Sequence, residues 1–477
     1  DLAQLAGGGA FLAFQGDAHG HPLHRAEQVD QARHRGGLAV GAGDVLEQHG
    51  RAAVAQQAPA FVQRLTSALQ GTSWEALEAA TGQSRAQWAE AATVLAKANR
   101  LVILVGNGVL RHPGGDATVT NLLDLLILLG KLDKPGCGLG PLAEENNDQG
   151  AVEMGAVAEF FPGPAPLDDQ PVRDRIAAMW REDLPRTPGA SLTEMLAAAN
   201  KGTLKAMFVV GENPVGTLPA AAQAKEALGK LDLLVCQELF LTETAAMAHV
   251  VLPACSYMEK DGTFTNSEGH VQGVRQAINP VGDSRPDWEM LSALSVLMGS
   301  PLEYGDAREI LKEIRTVIPG YGLLGPTPTP PKVDPMVLNR YLTEGFAVDA
   351  ATRYAVSQPR QTNDGPFTLM FVQTLFHSGK LSTRAKGLLQ LQQEGFLSIN
   401  PADAAQLGLA DGGQVTVSNS RGAITTTIKI RERVPAGLLW FPEHFDGEAK
   451  QLAEWTIDPR TQIPYFKLAH VSLAKVS

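Results

Sequence analysis

Four short apolar runs, at 101–105, 205–210, 231–235 and 249–252, restrict what this chain can fold into more than any other feature. Each is apolar almost throughout instead of alternating with polar residues, the pattern of strands buried on both faces of a parallel sheet. Helical segments separate them. Ser73 and Ser191 are placed to cap helices, and Glu194 completes a capping box before 192–200. Strands alternating with helices predict a doubly wound, mostly parallel α/β sheet. Open sheets of this kind bind ligands at the carboxyl ends of their strands. The stretch 231–276 puts polar turns there, Cys236-Gln237-Glu238 and Thr242-Glu243-Thr244, and so reads as a cofactor crevice.

Charge and cysteine content narrow the function. With 40 basic and 51 acidic side chains in 477 residues the net charge is −11, which disfavours general binding to nucleic acid or to anionic membranes. The three cysteines, Cys137, Cys236 and Cys255, are widely spaced. They exclude an iron–sulfur cluster or structural zinc held by this chain's cysteines alone, and point to a reducing compartment. No apolar stretch is long enough to insert directly into a membrane. There is no G-x-S-x-G elbow, and 378–380 departs from a phosphate loop because Thr374 occupies the first glycine position and Leu381 follows the lysine.

Taken in order, residues 1–57 contain His19, His21, His24, His34 and His49 but no lysine, and no periodicity that specifies a helix or strand. They read as unassigned sequence, disordered or non-native, and the start at Asp1 reads as a fragment of a longer product. An α/β domain is expected over 58–320, with helices near 74–82, 85–98, 116–129, 220–230 and 287–298. Gly106-Asn107-Gly108 reads equally as a nucleotide-type turn or a plain tight turn, and 161–190 as a proline-rich surface excursion. In 141–155 the acidic residues Glu144, Glu145 and Asp148 sit among asparagines and glycines, suggesting a loop that hydrogen-bonds through amides. A proline-rich linker over 321–365 separates off 366–477, where short strands, hairpin turns and one helix capped by Asn400 predict a small closed barrel, double-psi-like.

These motifs carry a resemblance. GENP (211–214), CQELFLTETA (236–245), VVLPA (250–254) and EKDGTFTNSEGHVQ (259–272) are followed by FHSGKLSTR (376–384), NPADAAQLGL (400–409), PEHF (442–445) and IPYFK (463–467). In this order the chain from about residue 59 resembles the molybdopterin oxidoreductase family, the dimethyl-sulfoxide-reductase-like large subunits. The resemblance implies a cleft for molybdopterin guanine dinucleotide, with an iron–sulfur cluster belonging only to an N-terminal part outside this sequence. Guanine requires an acceptor such as Gln237, Glu238 or Glu243. Pyrophosphate and pterin require backbone N–H groups and small side chains, which Gly211, Asn213, Gly262, Asn266 and Ser382 could supply, and the resemblance adds Glu212, Pro214, Thr242, Thr244, His377 and Gly379 to the expected cofactor contacts. Arg384 and Lys467 would balance phosphate charge.

Two subfamilies compete within the resemblance. One is the large peripheral-arm subunit of NADH–quinone oxidoreductase, respiratory complex I, acting as a scaffold in electron transfer without its own metal chemistry. The other is the catalytic subunit of formate-dehydrogenase-like molybdenum or tungsten enzymes. The loop at 141–150 carries Ala143 where the formate type places an arginine, with Glu144 and Glu145 beside it, which favours the first. No catalytic residue and no metal ligand is assigned within the chain. The expected partners are other subunits of a respiratory or formate-oxidising complex, and the expected location is cytoplasmic, peripheral on the inner membrane through those partners.

Overall fold

The computed structural model describes residues 10–14, alternate positions from 61 to 69, 73–110, 114–132, 134, 136–180, 184–219, 221–266, 269–319, 321, 364–377, 379–445, 449–453, 456–457, 464–465 and 468–476. Its elements fall into two compact units, Asp1–Leu142 with Lys332–Ser477, and Ala143–Pro331.

The first unit begins with a strand in a region where none is expected from the sequence. β1 (Ala10–Phe14) pairs parallel with β2 (Leu101–Gly106), so the short apolar run AFLAF is a sheet strand. Too short to show a period, it becomes a strand by pairing with a partner about ninety residues away. Between them lie α1 (Trp74–Thr81) and α2 (Arg85–Lys97). Ser73 caps α1 by accepting from the Ala76 N–H at 3.1 Å, and Gly82 ends it in the left-handed conformation at φ 66°. After β2 the glycine turn is one short helix, Asn107–Leu110, before α3 (Gly115–Leu128). α3 buries Leu122, Leu125 and Leu126 against Leu101, Ile103 and Val105 of β2, and β3 (Gly138–Leu142) completes the sheet in parallel.

In the second unit, α4 (Gln170–Trp180) shows that 161–190 is more than a surface excursion. Phe161, Leu167, Ile176 and Leu184 form a buried cluster. The buried Arg173 guanidinium donates to the carbonyls of Leu167, Leu184 and Pro185 at 2.6, 2.7 and 2.9 Å and lies over the Phe161 ring. Prolines give this segment its loop-like composition, while backbone carbonyls turned inward give it an anchor.

α5 (Leu192–Asn200) starts at the Ser191–Glu194 capping box as the sequence predicts. β4 (Ala206–Val210), α6 (Ala221–Leu228), β5 (Leu233–Glu238) and β6 (Val250–Pro253) then form a parallel sheet in the order β4-β5-β6. The run at 101 therefore lies in a different sheet from those at 206, 233 and 250. Cys236, Gln237 and Glu238 are strand residues instead of a turn: β5 has a neighbour on each side, which extends its pairing through Gln237↔Val210 and Glu238↔Pro253. β7 (Gly262–Thr265) and β8 (Val271–Val274) form a hairpin, and α7 (Asp287–Leu297) and α8 (Ala307–Val317) follow.

Returning to the first unit, β9 (Phe367–Val372), β10 (Leu397–Ile399), α9 (Pro401–Gln406), β11 (Gln414–Asn419), β12 (Gly422–Ile430), β13 (Leu438–Pro442) and β14 (Leu468–Lys475) build the barrel. It closes in the order β9-β13-β10-β12-β11-β14, with β14 paired back to β9. Alternating residues point inward: Leu369 and Phe371, Val415 and Val417, Leu439 and Phe441, Ala469 and Val471. β14 is a strand that the sequence reading does not include. Gly365 (φ 143°) enters so close to it that a Cβ would sit 2.2 Å from the Val471 carbonyl carbon, a place only glycine fills.

Replacing Arg173 by leucine leaves three inward carbonyls without a donor. The expected loss is on the order of 3 kcal/mol of unfolding free energy in a urea titration, whereas Arg175→Leu should change it by less than about 0.5 kcal/mol.

Candidate functional site

At the carboxyl ends of β4 and β5 two turns hold one another. Gly211 adopts φ 64° and its N–H donates to the Gln237 carbonyl at 2.9 Å. This conformation brings round Asn213, which is buried. The Asn213 Oδ1 accepts from both the Thr244 N–H (3.1 Å) and the Thr244 hydroxyl (2.8 Å), while its Nδ2 donates to Glu243 Oε2 at 2.8 Å. Thr244 Oγ1 in turn accepts from the Val215 N–H, Thr242 Oγ1 accepts from the Ala245 N–H, and Pro214 opens the turn that carries Val215. Gly211, Asn213, Pro214, Thr242, Glu243 and Thr244 are thus brought together. The polar atoms of Asn213 and Thr244 are spent on the clasp itself.

Carboxylates gather beside it. Glu238 is buried and accepts from the Leu239 N–H at 2.5 Å. Glu212 is exposed as a residue, but its carboxyl is crowded by protein atoms. That desolvation pushes its pKa up; the Asn213 N–H opposes the rise and the charges of Glu238 and Glu145 add to it. Cys236, buried in β5, has its thiol pushed up to about 11, by burial first and by Glu238 second. Cys255 is also buried and shifted upward by burial, with its Sγ 3.7 Å from Ser284 Oγ.

Gln237 is fully buried, where sequence reasoning expects a guanine acceptor on a turn. Its Nε2 donates to Asp287 Oδ1 at 2.6 Å, Asp287 also pairs with Lys260, and its buried Oε1 has no hydrogen-bond partner. Asp287 and Lys260 do not stand out in the sequence; the acidic start of a helix is too common a signal.

The β7–β8 hairpin positions two more expected residues. Asn266 closes the turn through two bonds with His270, and Gly262 has open space where a Cβ would lie. The amide-bearing loop finds its partner here, since Asn147 Oδ1 accepts from the Thr265 N–H at 2.9 Å. Gly150 leaves room for this amide, since a Cβ there would lie 2.2 Å from Asn147 Oδ1 and push the side chain aside. Glu259 is structural: its carboxylate accepts from the N–H groups of Ser256 and Val281.

On the barrel unit, His377 is fully buried, with Nδ1 3.0 Å from Ser382 Oγ and Nε2 3.1 Å from the Gln392 carbonyl. Its ring lies 5.5 Å from that of His444 and edge-on to Phe445 at 4.8 Å. His444 is buried, 3.3 Å from Thr374 Oγ1 through Nε2, with no partner for Nδ1. Burial, then His377 and Lys450, lower its pKa to about 4 against an upward pull from Glu443. Gly379 has open space beside it, Arg384 is exposed, and Lys467 lies outside the described residues. Gln392 and Thr374, which complete this cluster, carry no sequence signal because their roles depend on chain closure.

Comparison with known proteins fits this architecture. The Molybdopterin oxidoreductase family matches residues 53–296, and the Molydopterin dinucleotide binding domain matches 371–470. The F420-dependent formate dehydrogenase subunit alpha of Methanocaldococcus jannaschii is 33% identical over 406 residues, covering 81% of this chain and 60% of that protein. A NADH-quinone oxidoreductase subunit of Rhizobium meliloti is 33% identical over 368 residues, covering 74% of this chain and 40% of that protein. Among solved structures, acetylene hydratase from Pelobacter acetylenicus shares the fold at TM-score 0.65 and 16% identity, over 92% of this chain and 70% of that one. The chain belongs to the molybdopterin oxidoreductase family. It spans about 60% of the length of the formate dehydrogenase relative it matches.

The matched dinucleotide binding domain supports a molybdopterin-type cofactor, and two kinds of feature among the expected contacts are compatible with one. The second unit has the unpartnered Gln237 Oε1 and open backbone at Gly211 and Gly262. The first has open backbone at Gly379. Among the described residues no group of three or more His, Cys, Asp or Glu is arranged to hold a metal ion.

Two outcomes follow from the geometry. Asn213→Ala strands the Thr244 donors and should cost about 2 to 3 kcal/mol in urea denaturation, while Glu243→Gln should stay within about 0.5 kcal/mol. His444 has its folded pKa lowered from 6.5 to about 4, so protons bind the unfolded chain first; stability is full above pH 6.5 and falls as pH drops toward 4. His444→Gln should flatten that fall in a melting-temperature profile.

Proposed function

We propose that this chain is part of a redox-complex large subunit of the NADH–quinone oxidoreductase type, serving as a scaffold in electron transfer. One observation carries the reading. Asn213 and Thr244, central among the expected cofactor contacts, satisfy each other's polar groups without a ligand. A frame complete in itself does not require an occupant to fold. Ala143 also stands where the formate type is expected to carry an arginine, and the charge of the nearby Glu145 is felt at Glu212.

A formate-dehydrogenase-type reading has its own support. Gln237 Oε1 is buried without a partner, and the match to the F420-dependent relative covers more of this chain than the match to the Rhizobium meliloti relative. In that reading Glu238 and Glu243 would accept from guanine N–H groups. Backbone at Gly211, Gly262 and Gly379 would approach pyrophosphate and pterin, and Arg384 would balance phosphate. When bound, a molybdopterin dinucleotide supplies the redox chemistry through its metal, and this chain supplies binding and orientation. Partners in both readings are other subunits of the complex. No described helix is long and apolar enough to cross a membrane, and location on the cytoplasmic side through those subunits is part of the proposal.

Metal and pterin analysis of the protein purified in its complex separates the readings. The scaffold reading expects less than about 0.1 molybdenum or tungsten per chain and no formate-dependent dye reduction. Stoichiometric metal that falls severalfold in Glu238→Ala, together with formate oxidation, would replace it with the second.

A further inference from the structure

The hydrogen bonds around His377 count the hydrogens on its ring. The ring is fully buried, so no solvent stands in for a missing partner. The Ser382 hydroxyl donates to the Gly379 carbonyl at 2.5 Å, which commits its single hydrogen. Toward His377 that oxygen can only accept, and the 3.0 Å contact therefore takes a hydrogen on Nδ1. The Gln392 carbonyl has no hydrogen to give, and its 3.1 Å contact takes a second hydrogen, on Nε2. A neutral imidazole carries one N–H and would set a lone pair against a lone pair at one of these contacts.

The surroundings tolerate one charge and no more. The carboxylate of Glu443, itself buried, acts on His444 in the opposite sense to His377 and Lys450. His444 lies 5.5 Å away, ring to ring, and stays neutral with Nδ1 unpartnered. Thr374 serves both rings: its carbonyl accepts from the His377 backbone N–H at 3.4 Å, and its hydroxyl meets His444 Nε2.

What the His377 ring holds is the segment it precedes. Nδ1 orients the Ser382 hydroxyl, which joins the Ser382 N–H on the Gly379 carbonyl and closes the 3₁₀ turn Lys380–Arg384. Nε2 fixes the Gln392 carbonyl just beyond the helix Lys386–Leu391. Hydrogen bonds from a charged donor are about twice as strong as neutral ones, so one ring can hold both ends. We propose that His377 is an imidazolium that positions residues 379–392 and does not itself touch a ligand. Gly379, with open space beside its backbone, and the exposed Arg384 are then set by the protein's own cation before any anion arrives. Only the class of anion served, a phosphate-bearing dinucleotide, rests on the cofactor reading above.

Long-range proton–nitrogen correlation on the full chain with isotopically labelled histidine counts the ring hydrogens at neutral pH, and His377→Gln and His444→Gln identify the two signals. The expected spectrum shows hydrogens on both nitrogens of His377 and on one of His444. Ser382→Ala takes away the acceptor at Nδ1 and should return His377 to one hydrogen, a change that a purely packing role does not produce. Amide hydrogen exchange reads the positioning. Ser382→Ala and His377→Gln should each speed exchange at residues 382 and 385 by at least about tenfold, with Leu369 and Val417 unchanged. One hydrogen on His377 in the unaltered chain overturns the charge. Unchanged exchange in both variants overturns the positioning. Neither measurement involves a cofactor, so the dinucleotide reading can fail while this result stands.

Discussion

The second unit depends on one side-chain amide. Asn213 turns its carbonyl oxygen to both donors of Thr244 and its nitrogen to Glu243, binding the turn after β4 to the turn after β5. Inside a protein such a network is strong when complete and expensive when one member is lost. Gly211 makes it reachable by adopting a left-handed conformation, and Val215 extends it by donating to the same threonine. The carboxylates at the sheet edge are therefore held together by a neutral frame, and the rise of Glu212 reflects the resulting crowding.

The barrel unit meets a comparable need with imidazoles. His377 has protein partners at both nitrogens, whereas His444 is buried with one nitrogen unsatisfied, and burial holds it neutral. A neutral ring packs against Phe445 without the penalty of a buried charge, so the pair remains compatible with an apolar barrel end. His444 follows β13, and the pairing of β13 with β9 brings it to Thr374 from seventy residues away.

Much of this was legible in the sequence where a local rule governs. Ser191 and Glu194 gave their helix, Gly82 its stop, and the apolar runs their strands. Family-like motifs brought Gly211, Asn213, Thr242, Glu243 and Thr244 to one place. What escaped was set by distant partners. The strand at 10–14 needs Leu101–Gly106 beside it. Gln237 looked like a turn residue because its neighbours are polar, yet pairing on both sides drew it into the sheet and burial followed. Arg173 falls in the proline-rich segment that reads as a surface excursion, yet three carbonyls converge on it. Polarity in a sequence indicates which groups need partners, but not whether water or the fold will provide them.

The buried thiols carry a consequence for durability. Nucleophilic attack and oxidation begin from thiolate, and Cys236, held to about 11, is almost wholly protonated at neutral pH. Cys255 is shifted the same way behind its own packing. Here the two sulfurs beneath the carboxyl edge of the sheet are chemically quiet, and peroxide would find its targets elsewhere on the molecule first.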